Sequence, residues 1–200
     1  MSERCCPPAD PALVERQARS LRLVLALNAA MFLVEAVGGV LARSTALLAD
    51  SLDMLSDASL IALTLYALNR GEAWKRRAAL AKGAAMGGLA LLVLAEAAWK
   101  TMHPVLPAAE AMGAIGALAL AVNAAAFALL WRHRADDLNL SSAWLCTRND
   151  VVANLAVIGA AGATALVQHP WPDIAVGVAI AGLFLGSSVK VLLAAYPRPA

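Results

Sequence analysis

LLADSLDMLSDASL, Leu47 to Leu60, is the stretch that decides how this chain folds. It is apolar except for small hydroxyls and three carboxylates, Asp50, Asp53 and Asp57. On a helix of about 3.6 residues per turn, positions i, i+3 and i+7 share one face, so the three acids point the same way. The segment around them is hydrophobic enough to enter a bilayer, where an ionisable side chain costs roughly 2.5–3.5 kcal/mol on insertion scales. Three such groups on one face need a partner: a proton, a cation or a basic side chain.

The composition agrees with a membrane setting. Of 200 residues, 61% are hydrophobic and 15% charged, against roughly 25% charged in an average soluble domain. Ala, Leu and Val dominate and aromatics are few, which favours helices over a β-barrel. The formal charge of +2 gives no basic surface for nucleic acid. The predicted class is therefore all-α, an integral membrane bundle of six transmembrane helices.

The predicted spans are Leu23–Ala42, Ala46–Leu68, Ala78–Trp99, Ala111–Trp131, Ala143–Val167 and Asp173–Ala195, each near the roughly 20 residues a helix needs to cross hydrocarbon. Pro7–Arg22 reads as a short charged helix at the membrane surface, and Met1–Arg22 is not a secretory signal because its apolar run merges with a full-length span. Arg43–Thr45 is a tight turn, Asn69–Arg77 (NRGEAWKRR) a basic loop, Lys100–Glu110 a Pro-containing loop, and His169–Pro172 a Pro-bracketed turn. Residues 1–22 are expected as an N-terminal tail, 23–195 as the membrane domain and 196–200 as a C-terminal tail. Gly83 and Gly87 in span three have the small-xxx-small spacing that lets helices approach closely.

Orientation follows from the basic residues. The N-terminal tail, the 2–3 loop, the 4–5 loop and the C-terminal end carry thirteen Lys and Arg, the opposite loops only Arg43 and Lys100. The excess places both termini in the cytoplasm.

Span five opens WLCTRNDVVANLAV, in which Cys146, Asp150 and Asn154 lie one turn apart on one face. Asp53 and Asp57 make a similar pair on span two. Two helices, each presenting a pair one turn apart, can surround one tetrahedral ion with three carboxylate oxygens and one thiolate, a set that suits zinc, cadmium, cobalt or iron(II). Magnesium is disfavoured by the thiol and by its reluctance to shed water. The structural alternative makes Cys146 a small buried hydrophobe and gives Arg148 an acid to pair with. Arg148 and Asp150 point apart on their helix, which leaves Asp50 or Glu35 on other helices as its partners, or the membrane interface, to which a long basic side chain can extend. Asp50, Asn154, Asn28 and Glu35 read either as groups lining the ion pathway or as cross-links between helices. Cys5 and Cys6 in the tail could capture a soft metal, though two thiolates do not complete a site; the other reading is a plain polar tail. Asp57 and Asp150 could also form the dyad of an intramembrane aspartyl hydrolase, but no Gly-x-Gly-Asp type motif is present and four candidate ligands exceed what a dyad requires.

Two runs carry a family resemblance. LNAAMFLVEAVGGVLARSTALLADSLDMLSDASLIA (Leu27–Ala62) resembles the first two helices of the cation diffusion facilitator family, and LNLSSAWLCTRNDVVANLAVI (Leu138–Ile158) its fifth helix. Weaker matches are Glu96, Asn123 and Asp173. The resemblance implies a divalent metal cation/proton antiporter, not an enzyme. It would export zinc-like ions from the cytosol across a bacterial inner membrane, usually as a homodimer, with no prosthetic group and with the metal as substrate. Carried over by position, the metal ligands would be Asp53, Asp57, Asp150 and Cys146, with Asp50 an additional acid before the pair. The chain departs from the pattern in carrying Cys146 where His or Asp is usual and Asp53 where many zinc-selective members have His. It also has no His-rich loop between spans four and five, where only His133 occurs, and is expected to be a short form without the family's C-terminal cytoplasmic domain. A transporter-like protein that binds or senses metal without moving it is the alternative these departures allow.

Overall fold

The computed structural model describes residues 11–67, 72–131 and 138–195; side chains are described for 19, 21–63, 74, 76–128 and 150–193. Six helices run up and down: α1 (Pro11–Ala42), α2 (Thr45–Ala67), α3 (Glu72–Met102), α4 (Ala109–Trp131), α5 (Leu138–Val167) and α6 (Trp171–Ala195). Their interiors are built from good helix formers, and the prolines fall between helices or in a first turn, where a missing N–H costs nothing. α1 runs unbroken through Arg22, so the expected surface helix and first span are one element. α3 and α5 likewise extend into what the sequence reading assigned to loops. A polar helix end costs nothing once it emerges from hydrocarbon, so helices can outrun their apolar runs.

Five segments are long and apolar enough to cross a membrane: Leu21–Ala42, Arg76–Met102, Ala109–Ala128, Asp150–Val167 and Trp171–Leu193. α2 is not among them, because every eighteen-residue window of it contains Asp50, Asp53 and Asp57. It occupies the sheltered position instead, packing against α1, α3, α5 and α6. Ala46, Leu47, Ala49 and Met54 of α2 are fully buried, whereas Leu41, Leu166 and Leu183 on the outer helices are three-quarters exposed or more. The outer apolar faces are suited to lipid, and the acidic helix is shielded from it. Around α2, Met86 and Ala90 of α3, Met112 of α4, Val157 of α5 and Ile180 and Ala181 of α6 form one continuous core.

The close helix approach expected at Gly83 and Gly87 is formed between α3 and α6. A Cβ at Gly87 would stand 2.6 Å from the Ser188 hydroxyl, which donates instead to the Gly83 carbonyl at 2.6 Å.

One end of the bundle is tied by polar groups. α1 closes with Arg43 in the left-handed region (φ 53°), and the Ser44 amide returns to the Gly39 carbonyl at 2.9 Å, a Schellman-type ending. α2 begins directly afterwards. Its first amides would be orphaned in the interior, and Asp173 at the start of α6 satisfies them. The Asp173 carboxylate accepts from Thr45 N at 2.8 Å, Ala46 N at 3.0 Å and Ser44 Oγ at 2.6 Å, while Ser44 Oγ itself accepts from Leu47 N at 3.1 Å. Gly177, one turn further along α6, lets the backbones touch, since a Cβ there would lie 2.7 Å from the Thr45 carbonyl carbon. Lys100 is drawn into the same knot from α3. It pairs with Glu96 at 2.5 Å and donates to the Arg43 carbonyl at 2.6 Å and Thr45 Oγ1 at 3.0 Å. Thr45 Oγ1 donates to Glu96 at 2.7 Å. Lys100, read from sequence as a loop charge, is thus a buried residue of the last turn of α3. The chain-terminal ends of α1 and α6 lie at the opposite end of the bundle.

Asp173→Ala removes the acceptor for two helix-end amides and a buried hydroxyl. A helix cap is worth about 1–2 kcal/mol, so thermal unfolding in detergent, followed by tryptophan fluorescence, should shift down by several degrees. Asp173→Asn retains one acceptor oxygen and should lose less.

Candidate functional site

The polar residues of the spans meet in the interior along α2. On that helix Asp50 and Asp57 are buried and Asp53 is half-buried. α5 faces them with Asp150 and Asn154, both buried. α4 contributes Asn123, and α1 contributes Glu35 and Asn28, all buried.

The two acid-bearing helices are antiparallel and their contacts step together. Asn154 Nδ2 donates to Asp50 Oδ2 at 2.6 Å. One turn along both helices, Asp150 and Asp53 face each other and interact electrostatically. Asp150 also stands in the field of Asp57 and Asp50. Two ionised carboxylates can only accept, so a proton or a cation between them would let this pair approach closely. Of the four expected ligands, the structure describes the side chains of Asp53, Asp57 and Asp150, and Asp150 stands in the field of the other two.

A second layer supports the first. Asn123 Nδ2 donates to Asn154 Oδ1 at 2.8 Å and lies 3.9 Å from the Met54 sulfur. The result is a chain from α4 through α5 to Asp50 on α2. Asn154 therefore orients Asp50, and Asn123 orients Asn154. Sequence reading noted Asn123 only as a weak family match. The local signal was there: it is the single polar side chain in the LALAVNAAAF run of α4, and a lone amide in an apolar span seeks a partner on another helix.

The remaining candidates divide clearly. Glu35 on α1 is fully buried and stands in the field of Asp50 and Asp53. Asn28 is buried further from the α1–α2 turn, and its Nδ2 has no hydrogen-bond partner among the described residues. Cys146 and Arg148 lie on α5, but their side chains are outside the described residues, as are Cys5, Cys6 and His133 entirely. Among the described residues, no three His, Cys, Asp or Glu groups are arranged to hold a metal.

A cavity of about 60 Å³ lies between α2, α3 and α6 toward the chain-terminal end, lined by Ser56, Lys82, Met86, Phe184, Ser187 and Ser188 among others. Lys82 Nζ donates to the Ser56 carbonyl at 2.9 Å, next in sequence to Asp57. The knot of Asp173, Glu96 and Lys100 occupies the other end of α2.

Residues 21–197 match the cation efflux transmembrane domain family. The metal cation efflux system protein CzcD of Cupriavidus metallidurans is 30% identical over 198 residues, covering 90% of this chain and 63% of that protein. The cation efflux system protein CzcD of an Alcaligenes species is 31% identical over 199 residues, with the same coverage. A cadmium, cobalt and zinc/H(+)-K(+) antiporter of Bacillus velezensis is 31% identical over 173 residues, 80% of this chain and 55% of that one. The chain thus spans less than two thirds of the length of these relatives, and by the extent of the family match it belongs to the cation efflux family.

Proposed function

We propose that this chain moves zinc-like divalent cations (zinc, cadmium, cobalt or iron(II)) out of the cytosol in exchange for protons. The site would be built from Asp53 and Asp57 of α2 and Asp150 and Cys146 of α5. The observation that carries this reading is the meeting of Asp53 and Asp150, from antiparallel helices, inside a bundle whose outer faces suit lipid.

The α2–α5 register extends the argument. Asp50 faces Asn154, and one turn on Asp53 faces Asp150. A further turn brings Asp57 on α2 to the level of Cys146 on α5. Four donors then occupy two adjacent levels, three carboxylates and a thiol, a set with the affinity for borderline and soft divalent ions that oxygen alone lacks.

Exchange follows from the acids themselves. Their oxygens are those a cation would take, and carboxylate and thiol ligands bind metal only when deprotonated. Metal and proton are competitors for the same atoms, which is the coupling an antiporter needs. The cavity beside Ser56 and the basic excess at the chain-terminal end support approach from the cytoplasm, with both termini inside. Release to the other side would require the α2–α5 pair to open toward the Asp173 knot. The CzcD relatives are named for metal cation efflux, and the Bacillus relative for cadmium, cobalt and zinc exchanged against protons and potassium.

Inside-out vesicles or proteoliposomes with an acidic lumen test the proposal. Wild-type chain should accumulate zinc, cadmium or cobalt, and a protonophore should abolish the uptake. Asp57→Ala should reduce uptake by more than the roughly 10- to 100-fold seen when only an outer partner of a ligand is lost. Binding of metal without gradient-driven uptake would replace this reading with a metal-holding membrane protein. Cys146→Ser should keep transport but lower the preference for cadmium over cobalt by roughly tenfold, as expected when a soft donor becomes a hard one. An unchanged ion ranking would remove Cys146 from the site.

A further inference from the structure

Among the described residues, Lys100 is the one buried basic side chain, 6% exposed. Its ammonium is held by Glu96 Oε1 at 2.5 Å, the Arg43 carbonyl at 2.6 Å and Thr45 Oγ1 at 3.0 Å. These oxygens come from α3, from the α1–α2 turn and from the first residue of α2. A carboxylate, a backbone carbonyl and a hydroxyl gathered around one positive centre are the donors of an oxygen-only metal-cation site, here with an ammonium in the ion's place. Helix capping accounts for the Arg43 contact and an i, i+4 pair for the Glu96 contact. A lysine at the surface would supply both. Neither requires an ammonium more than nine-tenths buried.

The surroundings favour a cation too. Asp173 lies in the same knot, on the Ser44 hydroxyl and the Thr45 and Ala46 amides. Two carboxylates thus stand against one ammonium, while Arg43 contributes its carbonyl and is itself exposed. A divalent ion brings twice the charge of the ammonium into this net-negative place and so competes with it. Glu96 is 30% exposed and lines a cavity of about 270 Å³ between α1, α2 and α3, so the oxygens are reached without unfolding a helix. Thr45 stands eight residues before Asp53 on α2, about 12 Å at 1.5 Å per residue. Along α2, Lys100 therefore lies between the acids and the end of the bundle away from the chain termini.

We propose that Glu96, Thr45 and the Arg43 carbonyl form an exit site for a divalent cation, and that Lys100 is its built-in plug. The ammonium fills the site in the absence of metal. An ion arriving from the acids displaces it, and its return bars the ion from coming back. The displacement step rests on the export reading above; the capacity of the three oxygens to hold a cation does not.

Equilibrium dialysis of the full chain in detergent with zinc, manganese and calcium tests the site. Lys100→Met should bind one further equivalent of at least one of these ions compared with wild type. Adding Glu96→Gln to that variant should weaken the added binding by at least roughly tenfold, as loss of a ligand does. Where Lys100→Met does not fold, Lys100→Gln, which keeps a donor for the Arg43 carbonyl, takes its place. No added equivalent, or one that survives Glu96→Gln, overturns the site. The plug is read in wild type by mass spectrometry of Lys100 after treatment with an amine-reactive reagent. Saturating zinc should raise its modification several-fold, and unchanged modification overturns the plug. Zinc uptake by wild-type proteoliposomes reports on export by itself: failed uptake with the added equivalent present in Lys100→Met sinks the export reading and leaves the oxygen site standing.

Discussion

A single carboxylate sets the position of the helix on which everything else depends. Asp173, at the start of α6, accepts from two amides of the first turn of α2 and from the Ser44 hydroxyl. With Gly177 bringing the two backbones into contact and Lys100 bridging Glu96 to the Arg43 carbonyl, the beginning of α2 is held by α3 and α6 together. A helix is rigid along its axis, so holding its first turn fixes the depth and rotation of residues two to four turns away. Those residues are Asp50, Asp53 and Asp57. A rotation of α2 by one residue, about 100°, would carry all three acids away from α5.

Burying acids is tolerable here because of where α2 sits. Its neighbours α1, α3, α5 and α6 surround it, and their outward faces carry the exposed Leu and Val that meet lipid. The acids meet amides and each other rather than hydrocarbon. Interhelical polar contacts contribute about 1 kcal/mol each in membranes, so the chain from Asn123 to Asn154 to Asp50 orients more than it stabilises. Its value lies in direction: the amide nitrogens of Asn123 and Asn154 are committed to the chain and fix the Asp50 carboxylate.

The two ends of α2 also differ in kind. At one end the charges are paired, buried Lys100 with partly exposed Glu96 and buried Asp173 with backbone amides. At the other, Lys82 reaches a backbone carbonyl beside a small cavity lined by serines. If the chain moves ions as proposed, one end of the pathway has to be sealed while the other admits an ion. A knot of mutually hydrogen-bonded groups is a suitable seal because it offers water few partners.

Much of this was legible in the chain. The apolar runs, the prolines between them and the i, i+3, i+7 spacing of the acids determined six helices and an acidic face, because helix period and hydrophobicity are local properties. The Asp-x-x-x-Asp and Cys-x-x-x-Asp spacings were legible too, because groups four apart lie one turn apart on each helix. The tertiary structure alone decided the rest. It set α2 in the centre, turned Asp173 into the cap of a helix more than 120 residues earlier in the chain, moved Lys100 from a supposed loop into a buried ion pair, and made Asn123 the base of the chain that aims Asp50. These are contacts between residues far apart in sequence. Their partners depend on which helix faces which and at what depth, and no local period records either.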